Sequence, residues 1–224
     1  MLTAVLIDGA FFLWRYRALR LGQYTATEVA ATVTAIAEKH AGTYDGLYRV
    51  FYYDCPPLQM GATNPVTKRR LDFSNTEAAK FRSALFEELK RRRKLALRLG
   101  YLQDGKAWKI RTQCVKELFA GKRSLSDLTE QDVAYDTRQK GVDMRIGLDI
   151  ASLAYKKLVR RIVLVSGDAD FVPAAKLARR EGIHFVLDPM WHRVHASLFE
   201  HIDELTTHCP SPSKLPRASR QAKN

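Results

Sequence analysis

The apolar run Arg161-Ile162-Val163-Leu164-Val165 breaks directly into Ser166-Gly167-Asp168-Ala169-Asp170. A continuous run of that kind offers no polar face to solvent. It therefore reads as a strand buried on both sides, as in a parallel sheet covered by helices. Its abrupt end in Ser-Gly marks the sheet edge, where α/β folds place their ligands. Two carboxylates thus fall at the lip of a low-dielectric core, where ionised side chains must be paired, hydrogen-bonded or bound to a cation. A hard divalent metal is the simplest such cation.

The rest of the chain supports that sheet. Residues 2–7 read as a first strand, followed by helical patterns over 10–19 and 27–40, the second entered through Thr25-Ala26-Thr27-Glu28. Residues 47–53 read as a second strand that stops at Asp54-Cys55-Pro56-Pro57, where two prolines force the chain out of the sheet. A polar loop carrying Lys68-Arg69-Arg70 precedes a helical stripe over 76–99, with Lys90-Arg91-Arg92-Arg93-Lys94 near its end. Residues 101–111 look like strands broken at Asp104-Gly105. After a polar stretch over 121–130, Gln139-Lys140-Gly141-Val142-Asp143 leads into a helix through Leu158. Pro173 suits the first turn of another helix, Glu181-Gly182 closes it, and 183–187 forms the next strand. A last helix is expected over 194–205. This alternation predicts an α/β fold with a mainly parallel central sheet and helices on both faces.

With 224 residues and 46% hydrophobic content, the chain can bury one good core. We expect one domain over 1–208 and a basic, disordered tail over 209–224, where Pro, Ser and cationic residues dominate. The formal charge is +13; four of those charges lie past His208, and removing them leaves +9 on the domain. Such an excess favours a polyanionic partner. Cys55, Cys114 and Cys209 form no Cys-x-x-Cys pair, which excludes a zinc knuckle or disulfide framework and fits a reduced, cytoplasmic setting. The apolar opening is short, lacks a basic leader and ends at Asp8, so a strand is expected there and not a signal peptide. No stretch approaches the ~20 apolar residues of a membrane span, and no membrane partner is expected.

Four acids now share one logic. Asp8 ends the first strand, Asp168 and Asp170 follow a later one, and Asp143 enters a helix behind a glycine. If the two strands are parallel neighbours, their carboxyl ends lie on one edge, within reach of Asp143 from a flanking helix. Taken singly, Asp168 and Asp143 are ordinary helix caps and Asp170 a first-turn acid. Capping does not explain why Asp8 belongs to the same set. Oxygen-only ligands select Mg²⁺ or Mn²⁺ over zinc, and such a site suits phosphodiester hydrolysis. Asp149 and Asp54 stay outside the set: pairing with an arginine serves the first as well as metal support, and a turn serves the second better. His192 and His195 lack the companions of a zinc site.

Val5-Leu6-Ile7-Asp8-Gly9, Tyr52-Tyr53-Asp54, Lys140-Gly141-Val142-Asp143 with Leu148-Asp149, and Ser166-Gly167-Asp168-Ala169-Asp170-Phe171 together resemble the ordered motif set of the NYN domain, LabA-like branch, among the PIN-like nucleases. The resemblance runs over about 2–205. It implies a Rossmann-like three-layer α/β/α sandwich and a metal-dependent ribonuclease site. It also implies that Asp8, Asp143, Asp168 and Asp170 hold Mg²⁺ or Mn²⁺. Family members often carry Asn soon after the first Asp-Gly, whereas this chain continues Ala10-Phe11-Phe12, a departure that bears on activity more than on fold.

Around these acids, Ser166, Lys140, Arg69, Arg70, Arg91 and Arg92 are expected to hold the RNA backbone. Phe11, Trp14 and Tyr16 are candidates to stack bases, although a hydrophobic helix face explains them equally. The competing function is a non-catalytic module that binds RNA or a protein partner in a regulatory role. Association with a second copy also stays open. An aspartyl phosphatase is excluded because Asp8-Gly9-Ala10 lacks the second acid that its chemistry uses.

Overall fold

Side chains of the first strand, β1 (Thr3–Asp8), sort alternately onto two apolar cores. Val5 and Ile7 enter one core, Ala4 and Leu6 the other, and all four are fully buried. A strand repeats every two residues, so an unbroken apolar run has to be covered on both sides. The computed structural model describes residues 1–212. After β1 come α1 (Gly9–Ala18), α2 (Ala26–Ala41), β2 (Leu47–Asp54), β3 (Gly61–Thr63), β4 (Arg70–Asp72), α3 (Glu77–Lys90), β5 (Leu95–Leu99), β6 (Tyr101–Ile110) and α4 (Thr112–Phe119). The second half contributes β7 (Val133–Lys140), α5 (Val142–Tyr155), β8 (Arg161–Val165), α6 (Val172–Arg180), β9 (His184–Asp188), α7 (Ala196–Phe199) and β10 (Glu204–Leu205).

The main sheet has six strands in the order β10-β9-β8-β1-β2-β5, and every neighbouring pair is parallel. Helices α1, α2 and α3 pack on one face through Phe12, Val33 and Leu85; α5, α6 and α7 pack on the other through Ile150, Ala175 and Leu198. This is the expected three-layer α/β/α, PIN-like architecture. Strand β1 lies in the middle, with β2 on one side and β8 on the other. The chain leaves β1 in one direction and returns on its opposite flank, so a crevice opens at the carboxyl ends of β1 and β8.

Two short antiparallel ribbons stand outside this sheet: β3 with β4, and β6 with β7. The second springs from the carboxyl edge, because Gly100 donates its N–H to the Asp54 carbonyl at 2.8 Å and Tyr101 pairs with Lys140. The chain thus runs out along β6, returns along β7 and enters α5 beside the crevice.

The structure corrects several sequence expectations. The helix expected over 76–99 stops at Lys90, and 95–99 forms the edge strand β5. Leu95, Leu97 and Leu99 face one core and Ala96 the other, a period of two that the preceding helical stripe obscures. Residues 101–110 are one strand with an irregular register between Asp104 and Trp108, instead of two broken strands. Of 194–205 only Ala196–Phe199 is helical, and Glu204–Leu205 adds the last strand. Cys209, assigned to the tail, is 6% exposed and belongs to the core. Of the expected tail, 213–224 lie outside the described residues.

Candidate active site

Asp8 caps α1, its Oδ1 accepting the N–H groups of Ala10 at 3.1 Å and Phe11 at 3.2 Å. The capping explanation is therefore true, but one carboxylate oxygen satisfies it. Gly9 allows the turn: a Cβ there would stand 2.6 Å from the Tyr53 carbonyl oxygen and 2.7 Å from the Tyr52 ring. The helix can begin hard against β2 only without a side chain. Across the crevice, Ile7 pairs with Val165, so Ser166-Gly167-Asp168 emerges beside Asp8. Asp168 accepts the Asp170 N–H at 3.0 Å, and both acids are exposed. A Cβ on Gly167 would come within 2.7 Å of the Phe11 ring, so this glycine too is imposed by close approach. Asp143 lies in the first turn of α5, behind Gly141, and is exposed.

The electrostatics tie these acids into one site. Burial holds the Asp8 carboxyl up at about 6, and the neighbouring Asp143 and Asp54 push in the same direction against its two backbone hydrogen bonds. Asp143 is likewise raised, first by burial and then by Asp168 and Asp170. All four expected acids therefore feel one another at the carboxyl edge, directly or through Asp143. Among the described residues none of them has a Lys, Arg or His within 4 Å.

Two other acids lie close by with partners. Asp54 is fully buried, and its Oδ1 accepts the Cys55 N–H at 2.7 Å and Arg82 Nη1 at 2.8 Å. Its Oδ2 is buried with no partner, and burial raises the carboxyl to about 6 despite the arginine. The turn role expected for Asp54 is thus incomplete, since it lies at the base of the site. A strand-end position one step beyond the residue paired with Asp8 was its signal in the sequence. Asp149 accepts from Tyr53 Oη at 2.8 Å and Arg98 Nε at 3.2 Å, the pairing that sequence reasoning weighed for it.

The expected substrate residues are scattered. Lys140 ends β7 three residues before Asp143 and is exposed at the site. Arg69 and Arg70 are exposed on the β3–β4 ribbon. Ser166 is fully buried, its hydroxyl oxygen accepting the Asp168 N–H at 3.3 Å, so it shapes the loop and presents no surface to a substrate. Arg91 and Arg92 follow the last turn of α3, which leads into the start of β5. That is the opposite edge of the sheet from the acids. Tyr16 is 1% exposed and belongs to the core, whereas Trp14 is 46% exposed and packs edge-on to His192 at 5.1 Å.

A NYN domain model matches residues 71–199, more than half of the chain. The chain belongs to the NYN domain family. NYN domains are PIN-like domains and typically nucleases. The matched stretch of this NYN domain includes Asp143, Asp168 and Asp170; Asp8 precedes it and joins them through the β1–β8 register. Among solved structures, a protein of unknown function from Vibrio parahaemolyticus is similar at 15% identity, over 92% of this chain and 91% of that one, with a TM-score of 0.43. No curated protein matches.

PIN-like nucleases generally use divalent metals. Among the described residues no three His, Cys, Asp or Glu side chains stand close enough to share an ion, so these acids do not form an all-protein cage. Mg²⁺ does not need one, because it dehydrates reluctantly and is usually held by one or two carboxylates plus water. An oxygen-only donor set without cationic partners fits that mode of binding.

Proposed function

We propose that this NYN domain, of the LabA-like branch, is a ribonuclease that hydrolyses RNA phosphodiester bonds with Mg²⁺ or Mn²⁺ drawn to Asp8, Asp143, Asp168 and Asp170, one or two of these carboxylates binding the ion directly and the others through its water. One observation carries the reading: four acids line the carboxyl edge, coupled from Asp8 through Asp143 to Asp168 and Asp170, with no cationic side chain within salt-bridge distance among the described residues. Leaving like charges together is costly unless a cation joins them. A divalent ion there supplies Lewis acidity toward the phosphoryl oxygens and lowers the pKa of water.

The chain's own residues do the rest. Asp8 is fixed at the strand end by two backbone N–H groups on one oxygen, a role that does not use its second. Asp168 is set by its contacts with Ser166 and the Asp170 N–H. Lys140 stands at the rim, where an ammonium offsets phosphate charge. The motif order quoted above supports the branch, and the basic domain supports a nucleic-acid partner.

The test is incubation of the native chain and Asp168→Asn with mixed RNA across Mg²⁺ and Mn²⁺ concentrations. Metal-dependent cleavage by the native chain, lost in the variant, is expected. RNA retained by both without cleavage would establish the regulatory module instead. That alternative draws on Phe11, whose ring packs on Gly167 in the segment where family members often carry Asn.

A further inference from the structure

A cleft of about 850 Å³ lies between the β6–β7 ribbon, the β3–β4 ribbon and the start of α3. It shares a wall with the acid site, because Arg82 lines it while bonding Asp54 behind. Its lining contains two groups of rings. Tyr24 stacks on Phe81 at 4.3 Å with 16° between planes, and Phe73, Trp108 and Tyr135 pack together at 4.8 to 6.2 Å. All five rings retain some exposure. Three arginines line the same walls, Arg17, Arg82 and Arg111, and Arg17 lies over the Tyr24 ring at 5.1 Å.

Asn64 adds an observation of a different kind. It lines the cleft and is fully buried; its Oδ1 accepts from Val66 and Thr67 N–H, while Nδ2 has no partner. A buried amide donor left without a partner is costly, and this one meets a ligand once the 64–67 turn opens onto the cleft. Partly exposed rings, guanidinium groups and a free amide are what unpaired bases use: faces to stack on, charge for the backbone and a donor for a base edge. The size fits as well, since the volume lies in the upper part of the roughly 300–1,000 Å³ range of organic-ligand clefts.

We propose that this cleft is a base-stacking subsite for single-stranded RNA, which leads an unpaired strand along the β6–β7 ribbon toward the carboxylates. The inference rests on the ribonuclease reading for its direction, although binding in the cleft does not require cleavage. A duplex is not accommodated, because its bases already stack on one another. An acidic peptide would use the arginines but would leave the five ring faces and the amide without a purpose.

The test is fluorescence anisotropy with a labelled 12-nucleotide single-stranded RNA and the same sequence as a duplex, both in EDTA to prevent cleavage. The single strand binds at least tenfold more tightly, and Trp108→Ala and Tyr24→Ala each weaken it roughly tenfold to hundredfold. Trp108→Phe keeps most of the binding, which separates stacking from a fold defect, and thermal melting checks each variant. Equal affinity for duplex, or native binding by melting-competent Trp108→Ala and Tyr24→Ala, overturns the proposal. So does loss of binding in Trp14→Ala alone, which would put the strand on the other flank. Tighter binding of a labelled poly-aspartate peptide than of RNA would make the cleft a protein-docking site. Cleavage abolished by Asp168→Asn while both cleft variants bind normally leaves the nuclease standing without the subsite. Binding lost in the cleft variants with no cleavage by any form leaves the subsite standing without the nuclease.

Discussion

The two edges of the central sheet treat charge in opposite ways. At the amino edge, where α3 hands over to β5, Lys90 pairs with Glu87 at 2.7 Å and Arg91 with Glu88 at 3.3 Å. Lys94 Nζ donates to the carbonyls of Tyr44 and Leu47, and Arg161 donates to the His40 carbonyl and Glu204. At the carboxyl edge, Asp8, Asp143, Asp168 and Asp170 share a neighbourhood with no such compensation among the described residues. The most conspicuous charge run in the sequence is thus largely tied into local structure, while scattered single acids form the site. Uncompensated charge is the better mark of function.

Removing a member of the uncompensated set gives the largest effect. Asp143→Asn is expected to lower RNA cleavage by roughly a hundredfold to a thousandfold, on the scale of losing one electrostatic element of a catalytic centre. Its melting temperature in EDTA should stay level or rise, since repulsion with Asp168 and Asp170 is relieved; a clear fall would show the acid to be structural. Breaking a compensated pair does the opposite. Arg82→Met strands Asp54 in the core and should cost about 3 kcal/mol at neutral pH, measured by urea unfolding. A loss under about 1 kcal/mol would mean that Asp54 is already protonated.

The pH dependence follows from the same contrast. Burial holds Asp8 and Asp54 near 6 in the folded protein, against an ordinary carboxyl value of 3.8. Their folded forms hold protons more tightly, so metal-free stability is greatest below about 4 with respect to these groups and is lost as pH rises through 6. The melting temperature in EDTA should fall between pH 4.5 and 7, and Asp54→Asn should flatten the slope. If divalent ions bind the ionised acids as proposed, they should restore stability at neutral pH. The smallest effect is expected at the amino edge: Arg91→Ala should change stability by less than about 1 kcal/mol and RNA binding hardly at all. A large loss of binding there would place a second RNA contact far from the acids.

Legibility in the sequence followed the same division. Strands β1, β2, β8 and β9 are evident because burial on both faces leaves continuous apolar runs, and Ser166 to Asp170 marks where one of them stops. Strand β5 was hidden because Leu95, Leu97 and Leu99 extend a leucine-rich helical stripe and pair with β2 more than 40 residues away. Strand β6 was legible as strand, but β7 and the pairing were hidden because β7 is polar and half-exposed without a strong period, and the register belongs to the pair. That Asp8, Asp143, Asp168 and Asp170 gather at the carboxyl edge was legible from strand ends and motif order; their role belongs to the proposal. Arg82 was not, since nothing in a helix sequence announces that one arginine will reach a buried acid on a distant strand.

The central position of β1 has a consequence for synthesis. Its neighbour β8 begins more than 150 residues later, so that length of chain must be made before the pairing can form. Until then Asp8 sits at the rim of a half-built sheet, without Asp143, Asp168 or Asp170. A chain that stops short of Asp143 carries only one of the four acids. The order of strands therefore ties assembly of the four acids to elements made long after β1.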